Sequence, residues 1–125
     1  MKLLHTDSAP AALGPYSQAV QTGDWVFTSG QVGIDPSTGE IVSESFEAET
    51  RQVLRNLSHV LATAGCGFVD VLKATVYLMD MTDFGAFNAL YQEAMGDHRP
   101  ARSTVQVAAL PKGARIEIDL VARAQ

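Results

Sequence analysis

Paired cysteines, metal-ligand spacings, long apolar runs and clustered positive charge are all missing from this chain of 125 residues, and each absence removes a class of function. The single cysteine, Cys66, lies between Gly65 and Gly67, so no intramolecular disulfide can form and a cytoplasmic address is expected. His5, His59 and His98 stand alone, with no HxH or HExxH spacing, so no metal site is written here. The opening Met1-Lys2-Leu3-Leu4 is too short an apolar stretch for a signal-peptide core or a membrane span, and no membrane partner is expected. Nine Lys and Arg against fourteen Asp and Glu give a formal charge of -5, with the bases scattered. That disfavours nucleic acid as a partner, because phosphate neutralisation needs a basic stripe. Gly30, Gly33 and Gly39 make no phosphate-cradling loop, since no strand-to-helix junction follows them at the required spacing.

What is present fits one compact domain over residues 1–125, with 46% hydrophobic residues for its core and no repeat or linker to divide it. Ala19-Val20-Gln21 and Trp25-Val26-Phe27-Thr28 flank Gly23-Asp24, the pattern of a hairpin. Asp35-Pro36-Ser37-Thr38-Gly39 is a turn, after which Ile41-Val42 resumes a short strand. Phe46, Val53, Leu54, Leu57, Val60, Leu61 and Ala64 then recur at helical spacing, with acidic residues at the start and Gly65 past the end.

From Val71 to Met79 the period is two, with Leu72, Ala74, Val76 and Leu78 set against Lys73, Thr75 and Tyr77. A second helix is predicted from about Asp83 to Met95, with Thr82 as N-cap and Gly96 as its stop. Two strands, Ser103 to Ala109 and Arg115 to Ala122, close the chain around Leu110-Pro111-Lys112-Gly113. The fold class is α+β, a mixed five- to six-stranded sheet with two helices packed on one face. Two helices leave the other face open, and its apolar and amphipathic groups predict self-association, with any pocket between subunits.

Several side chains are polar where the local pattern calls for something else. Pro100-Ala101-Arg102-Ser103 delivers Arg102 into an apolar strand, where its guanidinium needs an anionic partner. That partner is either a small carboxylate ligand or an acidic neighbour such as Glu117 or Asp119; the third option is that Arg102 points to water. Glu117 projects opposite Ile116, Ile118 and Leu120, as a solvated glutamate or as a pocket carboxylate able to orient water. Asn88 interrupts the stripe of Phe84, Phe87, Tyr91 and Met95, either bonded to nearby backbone or lining a polar cavity. Gly14-Pro15 fixes the position of the Tyr16 phenol just before the first hairpin strand, where a lid over the core is the plain reading, and Ser29-Gly30 ends a strand where backbone can approach a ligand closely. Cys66, near His59, sits in a helix-exit turn without the basic surroundings that a thiolate nucleophile wants.

Taken in order, Gly14-Pro15-Tyr16-Ser17-Gln18-Ala19, Thr28-Ser29-Gly30-Gln31, Asp35-Pro36 with Thr38-Gly39-Glu40, Pro100-Ala101-Arg102-Ser103, Leu110-Pro111-Lys112 and Ile116-Glu117-Ile118 closely resemble the RidA/YjgF family of imine deaminases. The resemblance implies a chorismate-mutase-like fold and a homotrimer with clefts between subunits. It implies hydrolysis of 2-imino acids such as 2-iminopropanoate and 2-iminobutanoate, and of enamines such as 2-aminoacrylate, to 2-keto acids and ammonia without cofactor or metal. By the same resemblance Arg102 binds the substrate carboxylate, and Tyr16, Ser29, Asn88 and Glu117 are pocket residues. Arg102, Glu117 and Tyr16 are the catalytic candidates; Ser29, Gly30, Asn88 and Thr104 join Arg102 in binding. Thr104 departs from the cysteine many relatives carry there, and the Asp97-His98-Arg99 connection is shorter than in some members. A non-catalytic module that binds keto acids or regulates a partner is the alternative, with a ribonuclease or translation inhibitor less favoured.

Overall fold

The chain is described over residues 1–125 by a computed structural model. Gly23, at φ 56°, permits the two-residue turn that joins β2 (Ala19–Thr22) to β3 (Trp25–Thr28). A strand not expected from the sequence, β1 (Lys2–Leu4), extends this hairpin antiparallel to β2 and buries Leu4. The single short strand expected near Ile41 is three small pieces: β4 (Gln31–Val32), β5 (Ile34–Asp35) and β6 (Glu40–Ile41), the last two pairing across the Pro36–Gly39 turn.

α1 (Phe46–Ala62) starts where Ser45 Oγ accepts from Ala48 N at 2.9 Å. β7 (Val71–Leu78) leads into α2 (Phe84–Met95), and β8 (Ala101–Gln106) returns parallel to β7 before β9 (Ile116–Arg123). The sheet path is β1-β2-β3-β9-β7-β8, six strands, and β4 makes a seventh by pairing with β9. β8 begins two residues earlier than its local pattern indicated, because Ala101 and Arg102 already pair with Lys73 and Ala74. The expected Thr82 cap is also displaced. Asp80 caps a 3-10 turn at Met81–Asp83 by accepting from Thr82 N, and α2 follows without a side-chain cap bond.

Ile116, Ile118, Leu120 and Ala122 of β9 and Val71, Ala74, Val76 and Leu78 of β7 turn one face of the sheet toward the helices. They meet Val53, Leu57, Val60 and Leu61 of α1 and Phe87, Tyr91 and Met95 of α2 in one cluster. Each large aliphatic side chain buried there contributes about 1.5–3 kcal/mol. Leu72, expected on this face, is 42% exposed: a bulge between Val71 and Lys73 shifts the alternation, so Val71 takes the inward place. The opposite face stays open and carries Leu3, Phe27 and Val105, with Phe27 and Val105 each 43% exposed.

Buried polar groups anchor the loops around this frame. Asn56 Nδ2 donates to Val32 O and Ile34 O at 3.2 and 2.9 Å, with Gln52 bonded to its Oδ1, which fastens β4 and β5 to α1. Glu49, 1% exposed, accepts from both Arg115 N and Arg115 Nε at 2.7 Å and ties α1 to the start of β9. Gly33 is required beside it, since a Cβ there would lie 2.7 Å from Glu49 O. Gln18 accepts from Thr6 N and donates to Thr6 O and Pro10 O, holding the N-terminal strap against the sheet.

Candidate functional site

Two cavities of similar size share no lining residue; Tyr16, Gly30 and Glu117 line one, Asn88 and Arg102 the other, and Ser29 and Thr104 line neither. The first, about 340 Å³, is lined by Tyr16, Gly30 and Glu117 together with Leu13, Gln31 and Lys112. β9 presents Glu117 on the open face, where it pairs across the sheet with Tyr77 and Val32. Burial pushes the Glu117 carboxyl above the usual glutamate range, and the neighbouring Asp119 adds to the shift. Asp119 is itself engaged by Tyr77, whose hydroxyl donates to it at 2.9 Å.

Gly30 leaves room for that carboxyl. A Cβ on Gly30 would meet Glu117 Cδ at 2.7 Å, so the glycine is needed for close approach rather than for a special backbone angle. Tyr16 is 56% exposed, which excludes the reading of a lid over the core. Ser29 lies next to Gly30, but its hydroxyl donates to Ser17 O at 2.6 Å and helps hold the strap.

The second cavity, about 330 Å³, is lined by Arg102 and Asn88 with Tyr91, Gln92, Met95 and His98 among its other walls. Arg102 Nη1 donates to Asn88 Oδ1 at 2.8 Å, so the amide in the aromatic stripe orients the guanidinium. No carboxylate pairs with Arg102: the ion pairs of the chain are His5–Asp7, Arg51–Glu93 and Arg115–Glu49. Strand register explains this. Arg102 lies opposite Ala74, on the helix side, whereas Glu117 and Asp119 lie opposite Tyr77 and Thr75 on the open side. The structural pairing of Arg102 with Glu117 or Asp119 is therefore excluded within one chain. Thr104, two residues along β8 and opposite Val76, has a buried hydroxyl with no hydrogen-bond partner.

In the sequence Phe84, Phe87 and Tyr91 form an apolar helix stripe, and Lys112 is only part of a turn. The three rings surround the Arg102 guanidinium, and Lys112 holds φ 57° at the rim of the Glu117 cavity while donating to Gly39 O. The signal for Lys112 was its place in the Pro111-Lys112-Gly113 turn. Cys66 is buried against Ala64 O with its thiol pushed up by burial, the opposite of an activated nucleophile. No group of three His, Cys, Asp or Glu side chains is placed to hold a metal ion, and no helix is long and apolar enough to cross a membrane.

Fold and cavities together define a small α+β protein that presents an unpaired guanidinium on one sheet face and a half-buried carboxyl on the other. Comparison with known proteins narrows that class. The model of the Endoribonuclease L-PSP family matches residues 6–124, and the chain belongs to this RidA/YjgF family. It is 50% identical to the mouse 2-iminobutanoate/2-iminopropanoate deaminase over 121 residues, 97% of this chain and 90% of the mouse protein. The crystal structure of RidA from a Psychrobacter species superposes with a TM-score of 0.95 at 43% identity, covering 98% of this chain and 99% of that one. That of E. coli TdcF with bound serine gives 0.94 at 38% identity, with all of both chains covered.

Proposed function

We propose that this chain is a 2-imino acid deaminase, hydrolysing 2-iminopropanoate, 2-iminobutanoate and their enamine tautomers to 2-keto acids and ammonia, at sites between the copies of a homotrimer. The name of the mouse relative, at 50% identity, supports the reaction. The observation that carries the arrangement is the division of the candidate groups: Arg102 with Asn88 in one cavity, Glu117 with Tyr16 and Gly30 in another, on opposite sides of the sheet. Either half alone lacks a partner for the chemistry. A second copy that sets its Glu117 cavity against the Arg102 of the first completes the pair, and the open face with Phe27 and Val105 offers apolar area for association.

In this site Arg102 forks the substrate carboxylate and fixes the C=N carbon beside the Glu117 carboxylate. A protonated imine is already electrophilic, so placing one water is the main task. Glu117 takes a proton from that water as the C–O bond forms, giving a tetrahedral carbinolamine. It then gives that proton to nitrogen, and as the C–N bond breaks it takes the hydroxyl proton, so the C=O of the keto acid forms and the departing ammonia carries the proton away as ammonium. An enamine such as 2-aminoacrylate first gains a proton at its terminal carbon to become the imine. Tyr16 lies within the same cavity to hold the water, and backbone groups of Ser29 to Gln31 and of Thr104 are further candidates for fixing the imine nitrogen or the water. We also keep the cytoplasmic address expected from the sequence.

The test generates the imino acid in place with an amino-acid oxidase and traps what remains with semicarbazide. Wild-type protein should remove imine, and Arg102→Ala and Glu117→Gln should not. Binding of 2-keto acids without turnover would instead support the non-catalytic module. An RNA-cleavage assay on the same proteins addresses the description of the family as an endoribonuclease, for which the net charge of -5 offers no phosphate-binding stripe.

A further inference from the structure

Rings and an amide, not a carboxylate, hold Arg102. Phe84, Phe87, Asn88 and Tyr91 occupy positions i, i+3, i+4 and i+7 of α2 and form a single face. Arg102 Cζ lies 4.8 Å from the Tyr91 ring centroid, 5.3 Å from Phe87 and 5.5 Å from Phe84. The rings also brace one another, with centroids 5.4 Å apart for Phe87 and Tyr91 and 6.4 Å for Phe84 and Phe87. A guanidinium neutralised by a carboxylate has spent its charge, whereas one resting on ring faces keeps both its charge and most of its donors for a ligand. Asn88 Oδ1 takes one donor, and no other side chain takes another.

Tyr91 separates the work of the ring from that of the hydroxyl. It is 7% exposed, and its hydroxyl is buried with no hydrogen-bond partner, so it holds nothing in place. The ring, by contrast, makes the closest of the three contacts with the guanidinium.

We propose that Tyr91 and Phe84 are positioning residues, whose ring faces hold the Arg102 guanidinium unpaired and aimed at the ligand carboxylate. The proposal rests on the reading of Arg102 as the carboxylate clamp. It makes the aromatic face of α2 a determinant of selectivity for acids over their uncharged analogues.

The experiment measures binding of 2-oxobutanoate and of its neutral amide, 2-oxobutanamide, by calorimetry, together with KM and kcat for 2-iminobutanoate. Tyr91→Leu should raise KM about tenfold and narrow the preference for acid over amide by a similar factor, with kcat changed less than about twofold. Phe84→Leu, at a half-buried position, should do the same more weakly, about threefold. Tyr91→Phe should rescue both readouts to wild-type values, since the deleted hydroxyl has no partner to lose. Circular dichroism checks that each variant folds, and Phe84→Leu carries the comparison if Tyr91→Leu does not.

Folded leucine variants that keep the wild-type preference for the acid would overturn the proposal, and so would a Tyr91→Phe loss as large as that of Tyr91→Leu. Arg102→Ala separates the two levels. If it abolishes the preference while the leucine variants keep it, the ring cradle alone is wrong. If the preference survives in Arg102→Ala, the clamp reading fails and takes the cradle with it.

Discussion

Mixing two inactive variants offers the strictest test of a site shared between copies. Arg102 lies opposite Ala74 on the helix side of the sheet and Glu117 opposite Tyr77 on the open side, so one chain cannot bring both to one ligand. Removing the guanidinium forfeits a bidentate, charge-assisted grip and its orienting effect, which should cost about a hundredfold or more in kcat/KM. Replacing the carboxyl by an amide removes a general acid–base group, worth about 10²–10⁴-fold. Each variant alone should thus retain about 1% of activity or less.

In a cyclic trimer every site takes Arg102 from one copy and Glu117 from its neighbour. Equal amounts of Arg102→Ala and Glu117→Gln chains, unfolded together and refolded, should regenerate an intact pair at about one site in four. The mixture should therefore recover about a quarter of wild-type activity, far above either parent, in the semicarbazide assay with refolded wild type as reference. With refolded wild type active, a mixture no more active than the average of its two parents would refute the shared site and leave the deaminase assignment standing.

Three further outcomes test the surroundings of the site. Gly30→Ala should lower kcat by an order of magnitude or more while leaving the far-ultraviolet dichroism unchanged, because the added methyl displaces the Glu117 carboxyl. The Glu117 carboxyl is raised by burial above its ordinary 4.5, so the folded state favours its protonated form. That contribution is complete below 4.5 and is lost as pH rises through the raised value, so stability should fall across this window. Glu117→Gln should abolish the dependence and raise the melting temperature at pH 7, as calorimetry would show, while the acid limb of wild-type kcat/KM should follow ionisation of the same group. In the core, Leu57 is fully buried, so Leu57→Ala should lower unfolding free energy by about 2–5 kcal/mol in urea titrations, with KM little changed.

Much of the candidate site is legible in the sequence because each clue is local. A period of two along Ile116–Ala122 is enough to set Glu117 apart from Ile116, Ile118 and Leu120, and a period near 3.6 is enough to place Asn88 within the ring stripe of α2. Pro100-Ala101 before Arg102 marks an arginine entering a strand. β1 escaped notice because its three residues have too little alternation, and its stability comes from pairing with β2, Leu3 against Val20. The bulge at Leu72 likewise has no local mark, being set by the match between β7 and β9. The two functions of the α2 stripe, filling the core and cradling a guanidinium, look the same in sequence until β8 is laid beside it.

By itself the sequence determined the two helices and the long strands, and with them the α+β class, and which polar side chains break their local pattern, since these follow from periodicity within one segment. Only the tertiary structure decided that Arg102 and Glu117 belong to separate cavities on opposite sides of the sheet. Facing depends on strand register, and register is settled by pairing between segments more than ten residues apart, where a shift of a single residue would turn every side chain to the other face.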